Sequence, residues 1–331
     1  MSAIATVFHA DVIEQAGATR AGRGPGCSYM TRLLYRLAAL TAGFLVVLVA
    51  GSAPPSFADT GSKDGQITVF LAGDSTMAEK LPEKRPETGW GEFLQSKFDP
   101  GKVRIQNHAQ NGRSTRTFIG EGRWQALVDQ VKPGDYVFIQ FGHNDESPEK
   151  VDRYTPPAQF SANLARFVTD VRAKSGTPVL MTPVMRRRFD DEGQFYDVHG
   201  IYPDLTRAVA ADLDVALIDM HRKSEALLRR LGPEQTKALF LILAPGENPN
   251  YPDGVDDNTH FSPLGAGLMA DLAVDGIREL NLDLAGLLLE RPASSRLDAT
   301  FSERSSQPDS HISVAAGDLL SRNRQFVARS H

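Results

Sequence analysis

An α/β fold with a parallel sheet covered on both faces is predicted for residues 66 to about 284, on three observations. Short β-branched and aromatic runs read as buried strands. They alternate with segments whose apolar residues recur at helical spacing, the order expected of a parallel sheet under helices. The block is also more than 200 residues long, enough for one core of ordinary size. The strands are expected at Ile67–Leu71, Val103–Gln106, Tyr136–Phe141, Pro178–Thr182 and Val215–Ile218. Helical spacing covers Gly91–Lys97, Gln159–Lys174 and Pro203–Leu213, with Phe160, Leu164, Phe167, Val168 and Val171 as a core face. A last helix runs from Pro263 to about Leu280, with Ser262 as N-cap and Pro263 suited to the first helical position.

The ends read differently. Met30 to Arg36 is basic, Leu37 to Ala50 is apolar except at Thr41 and Gly43, and Gly51 to Ala58 is small and Pro-containing. That order is a secretory signal peptide over residues 30–58, cleaved after Ala58, with Ser56 and Ala58 as the small pair. Its apolar core is shorter than the roughly 20 residues a spanning helix needs. No stable membrane insertion is expected after cleavage, and the product is secreted or periplasmic; an uncleaved signal would leave it anchored. Residues 1–29 carry several glycines and no apolar period, so Met30 reads as the better start and this stretch as an over-long N-terminus. Residues 290–331 turn to Ser, Arg, Asp and Gln and read as a disordered tail, with a short amphipathic helix near Ala315–Arg322. Cys27 is the sole cysteine and falls in the removed part, which excludes disulfides, a thiol nucleophile and thiolate metal sites from the mature chain. The net charge of −5 becomes −7 once residues 1–58, with four Arg and two acids, are gone. Such a surface does not favour nucleic acid or anionic membranes.

The chemistry-bearing residues lie after the expected strands. Ser75 follows the first of them, where open α/β sheets place reactive groups. A serine hydroxyl attacks only when a neighbouring base takes its proton, and alone this Ser is as readily a turn or cap. Far downstream, Asp257 and His260 stand three apart before the last helix, close enough for a carboxylate to orient an imidazole. Ser, Asp, His is a known chain order for a nucleophilic triad. Alone, the pair also reads as an Asx-turn beside a surface histidine, and the residues do not separate Asp257 from Asp256. Asn144, after the third strand, can donate to a developing oxyanion, and Gly112, after the second, lets a backbone N–H approach a ligand. Both also suit plain turns. His-Glu-x-x-His metal spacing and a P-loop are both absent.

Together, Gly73-Asp74-Ser75, Asn107-x-Ala109-x-Asn111-Gly112, Gly142-x-Asn144-Asp145 and Asp257-x-x-His260 resemble the four blocks of the SGNH (GDSL-like) hydrolases. The resemblance implies a three-layer α/β/α sandwich around a five-stranded parallel sheet. It implies Ser75 as nucleophile, His260 as general base and Asp257 as its orienting acid. The oxyanion hole would be the Ser75 and Gly112 backbone N–H groups with the Asn144 amide. The Gly-x-Ser-x-Gly elbow of α/β-hydrolases is missing around Ser75.

Gly73–Ala78, Gly89-Trp90-Gly91, Asn111–Phe118, Gln140–Asp145, Thr182-Pro183-Val184 and Asp257–Phe261 look further like the rhamnogalacturonan acetylesterases. That likeness runs from about Ile67 to Ile277 and implies a secreted esterase that deacetylates the rhamnogalacturonan backbone of pectin, without metal or cofactor; the chain is expected to be a monomer. The alternatives are an esterase of the same fold on acetylated xylan, an envelope glycan, lipid or thioester, and an inactive glycan-binding protein. Two departures bear on substrate: a polar insertion at Leu81–Pro86 and a charged, aromatic loop from Arg186 to Gly200. Arg116, Arg186, Arg188 and Phe195 are the expected substrate contacts, arginines for uronic-acid carboxylates and the ring for a sugar face; a solvated surface loop is the plainer reading of 186–200. His199 and His221 read as surface or locally bonded residues, Trp90 and Trp124 as core or cleft wall.

Overall fold

The computed structural model describes residues 65–290. The expected signal peptide, the segment before it and residues 291–331 of the expected tail lie outside these. Among the described residues, no helix is long and apolar enough to cross a membrane.

Five parallel strands form the sheet: β1 (Ile67–Gly73), β2 (Val103–Asn107), β3 (Tyr136–Gln140), β4 (Thr177–Met181) and β5 (Ala216–Ile218). Their spatial order is β2-β1-β3-β4-β5, so the chain reverses direction of travel across the sheet after β2. Alternate strand residues face opposite layers. Val69, Leu71, Phe138, Val179 and Met181 point into one core, and Phe70, Ala72, Val137, Ile139 and Leu180 into the other. The second core is closed by α1 (Thr115–Gly120), α2 (Arg123–Val128), α3 (Pro157–Ala173) and α4 (Tyr202–Asp212), through Phe118, Trp124, Phe167 and Val209 among others. The first is closed by α5 (Met220–Gln235) and α6 (Pro263–Glu279), through Leu228, Met269 and Ile277. This is the expected three-layer sandwich. Ser262 caps α6, its hydroxyl accepting from Gly265 N at 3.2 Å, with Pro263 in the first turn.

Three features depart from expectation. Gly91–Lys97 is not a regular helix but two 3-10 turns, Trp90–Phe93 and Gln95–Lys97. Gly89 explains the tight packing there: a Cβ on it would stand 2.0 Å from the Ala78 carbonyl oxygen. Second, α5 has no counterpart in the predicted elements; Gly232, at φ 72°, and Pro233 break its end. Third, the stretch just before α6 that carries Asp257 and His260 is itself a strand, which was not among the expected elements. Both residues lie on β7 (Val255–Phe261), antiparallel to β6 (Phe240–Leu243), in a two-stranded ribbon outside the main sheet. The register slips between Phe240 and Leu241, which face Phe261 and Asp257.

Candidate active site

The sheet order sets the site. Because β1 lies between β2 and β3, the turn after β1 is flanked by the turns after both neighbours. Ser75 therefore has Gly112 on the β2 side and Asn144 on the β3 side, at the position where the direction of strand order reverses. The Ser75 turn is held from beneath. Asp74 is fully buried, and its Oδ1 accepts from Thr76 N at 2.9 Å and Thr76 Oγ1 at 2.8 Å. Burial pushes the Asp74 carboxyl up, against those two hydrogen bonds. Gln140, at the end of β3, donates to Thr76 Oγ1 at 3.0 Å and accepts from Trp90 Nε1 at 2.8 Å.

His260 closes a line of hydrogen bonds. Its Nδ1 lies 2.7 Å from Asp257 Oδ2, and its Nε2 lies 2.8 Å from Ser75 Oγ. An ionised carboxylate can only accept, so Nδ1 carries the hydrogen and Nε2 is left to accept from the serine hydroxyl. Burial works against the Asp257 charge, but the His260 ring and the backbone N–H groups of Thr259 and His260 hold its carboxyl down to about 2. The Asx-turn reading and the carboxylate–imidazole reading thus describe one residue. Asp256 is engaged elsewhere, its Oδ1 accepting from Asn258 Nδ2 at 3.1 Å.

Gly112 has φ 75°, a left-handed conformation that favours glycine, and a Cβ there would stand 3.3 Å from Arg153 Nη1. Asn144 donates from Nδ2 to the Arg113 carbonyl at 3.0 Å, and its Oδ1 lies 3.5 Å from Arg153 Nη1. The first of these contacts fixes which way the amide points.

Lys80 and Glu87, on either side of the insertion, carry structure that the sequence did not disclose. Lys80 Nζ is buried and donates to the Ser75 carbonyl, to Asn111 Oδ1 at 2.8 Å and to Glu87 Oε1 at 2.7 Å. One ammonium thereby ties the serine turn to the residue before Gly112. Burial pulls its pKa down, while Glu87 pulls it back up. Glu87 Oε1 also stands 4.0 Å from His260 Nε2. A lone Lys and Glu seven apart offer no pattern that would have found them. The insertion is strapped to the ribbon: Asn250 Nδ2 donates to the Pro82 and Arg85 carbonyls, and Tyr251 Oη to the Lys84 carbonyl.

The expected substrate contacts are placed as follows. Arg116 donates to the carbonyls of Tyr154, at 3.0 Å, and Val151, at 2.9 Å. Arg186 bridges Thr259 Oγ1, the His143 carbonyl and Glu146 Oε1, at 2.7, 3.0 and 3.1 Å. Arg188 is partly exposed, and Phe195 is buried, edge-on to Phe189 and under Arg229. His199 and His221 are buried rather than superficial, bonded to Glu146 and Asp197. Trp90 and Trp124 are core residues. Among the described residues, no group of three or more His, Cys, Asp or Glu could hold a metal ion.

Comparison with known proteins agrees with this architecture. Rhamnogalacturonan acetylesterase RhgT of Bacillus subtilis is 45% identical over 225 residues, 68% of this chain and 95% of the relative. The probable rhamnogalacturonan acetylesterase YesY of the same organism is 36% identical over 223 residues, 67% of this chain and 97% of the relative. The crystal structure of Bacillus subtilis YxiM matches with a TM-score of 0.57 at 29% identity, over 66% of this chain and 58% of that one. Residues 71–268 match the GDSL-like lipase/acylhydrolase family, a range that takes in the end of β1, the other four strands of the sheet, the Ser75 turn and the ribbon: the chain belongs to that family.

Proposed function

We propose that this protein is a serine esterase that removes O-acetyl groups from an acidic polysaccharide, the rhamnogalacturonan backbone of pectin. The observation that carries the chemistry is the line from Ser75 Oγ through His260 to Asp257, with contacts of 2.8 and 2.7 Å. The substrate class rests on the likeness to RhgT. Ser75 Oγ attacks the acetyl carbonyl carbon as His260 Nε2 takes its proton. Charge develops on the carbonyl oxygen, which the Ser75 and Gly112 N–H groups and the second Asn144 N–H receive. The intermediate collapses, the C–O bond to the sugar breaks, and the sugar oxygen leaves with the proton from His260. Water then attacks the acetyl-enzyme by the same relay, releasing acetate and restoring Ser75. Asp257 steadies the imidazolium that forms in each half-reaction.

The test is acetate release from acetylated rhamnogalacturonan, acetylated xylan, an O-acetylated bacterial glycan and an aryl acetate, by the protein and by Ser75→Ala. Serine-dependent release greatest on rhamnogalacturonan is expected. Release from the aryl acetate alone rejects the substrate, and release that survives Ser75→Ala rejects the mechanism.

A further inference from the structure

A cavity of about 520 Å³ opens beside Gly112, walled by Asn111, Arg113, Thr117, Asp152 and Arg153. Because it shares Gly112 with the proposed oxyanion hole, a group that fills it adjoins the reacting ester. Its wall carries two guanidiniums, Arg113 and Arg153, and two carboxylates. Glu121, also on the wall, is shared by Arg113, at 3.0 Å, and by Arg123. Asp152, the other acid, is 68% exposed and meets only Arg153 Nε, at 3.2 Å. Solvent weakens that pair. Counting Arg123, which reaches Glu121 from outside the wall, three guanidiniums meet two carboxylates.

Arg153 is the wall guanidinium with donors to spare. Its Nη1 touches Asn144 Oδ1 only at 3.5 Å, the outer limit of a hydrogen bond. A guanidinium has five N–H donors in a planar fork, so most remain for a ligand. The loop beneath it is built rather than loose. Arg116 clamps the carbonyls of Val151 and Tyr154, Tyr202 Oη donates to the Thr155 carbonyl at 2.7 Å, and Arg153 N bonds the Lys150 carbonyl at 2.9 Å. Such preorganisation lowers the cost of binding. Arg186, by contrast, is spent on Thr259, His143 and Glu146.

We infer that this cavity is a carboxylate subsite, in which Arg153 receives the carboxylate of a uronic acid beside the acetyl ester, while Arg116 only braces the loop. The inference rests on the acidic-glycan reading above. It is tested by calorimetric titration of the protein, Arg153→Gln and Arg153→Lys with an unacetylated oligogalacturonide and a neutral xylo-oligosaccharide of equal length, at fixed ionic strength. Competition by the oligogalacturonide against aryl acetate hydrolysis locates the binding at the active site, and circular dichroism confirms that the variants fold. The protein is expected to bind the acidic oligomer about tenfold or more tightly than the neutral one. That preference disappears in Arg153→Gln and is partly kept in Arg153→Lys, which retains the charge without the fork. An acidic preference that survives Arg153→Gln, or equal binding of both oligomers by the unaltered protein, overturns the subsite. Acetate release from acetylated rhamnogalacturonan reports the parent reading separately, since it needs no preference at Arg153.

Discussion

Asn144 is held through its amide N–H by the Arg113 carbonyl at 3.0 Å, so its side chain is set before any substrate arrives. Removing a preorganised donor of this kind costs roughly 10²–10³ in turnover. Asn144→Ala is therefore expected to lower kcat on an aryl acetate by that factor with the fold intact by circular dichroism; full turnover would remove Asn144 from the oxyanion hole. Asp257 carries a pH signature. Its carboxyl titrates near 2 in the fold and, as an ordinary Asp, at about 3.9 when unfolded. Its stabilisation is thus complete above about pH 4 and is lost as pH falls toward 2, an effect of up to about 2 kcal/mol. The melting-temperature gap between the protein and Asp257→Asn should shrink through that window; a gap constant from pH 7 to 2 refutes it. Residue types at Ser75, Asn144 and His260 were legible in sequence because short motifs carry them. Asp257 and Asp256 were not separable there, since both are acids and only a backbone slip decides which one meets His260. Arg153 was hidden because its neighbours in space, Gly112 and Asn144, lie far from it or belong to other turns in the chain.

At the scale of elements, the strands of the sheet and the longer helices α3, α4 and α6 could be read directly, because burial on a fixed face imposes a period. The ribbon could not. Phe240–Leu243 is apolar enough to be a strand, but Val255–Phe261 is mostly polar, and its register slip erases alternation. Helix α5 was obscured by its basic residues and broken end, and α1 and α2, six residues each, are too short to show a period. The 3-10 turns at Trp90 exist because the chain passes against Ala78 with no room for a side chain. Gly89→Ala would drive a Cβ into the Ala78 carbonyl at 2.0 Å. Overpacking of this sort costs about 1–3 kcal/mol or more, and the backbone shift would reach the Ser75 turn. Both a lowered melting temperature and reduced kcat are expected; an unchanged melting temperature counts against the packing argument.

For the molecule as a whole, one sheet serves two cores, so neither layer can melt while the other persists. Phe138, on β3, faces the α5–α6 side and Phe167, on α3, packs into the second core, and both are fully buried. Phe138→Ala and Phe167→Ala should each cost about 3–5 kcal/mol and shift the same single transition; two separate transitions in either variant would refute the shared-sheet view. The proposed base and its acid lie outside the main sheet, on a two-stranded ribbon that is rooted in the first core by Phe240 and Phe261 and whose connecting loop meets the insertion through Asn250 and Tyr251. A two-stranded ribbon owes its order to such contacts alone. On warming, it is expected to loosen before the sandwich does, carrying His260 away from Ser75. Heating should then switch activity off reversibly some degrees below the melting point, so that catalysis acts as a thermometer for the ribbon while circular dichroism still reports an intact protein.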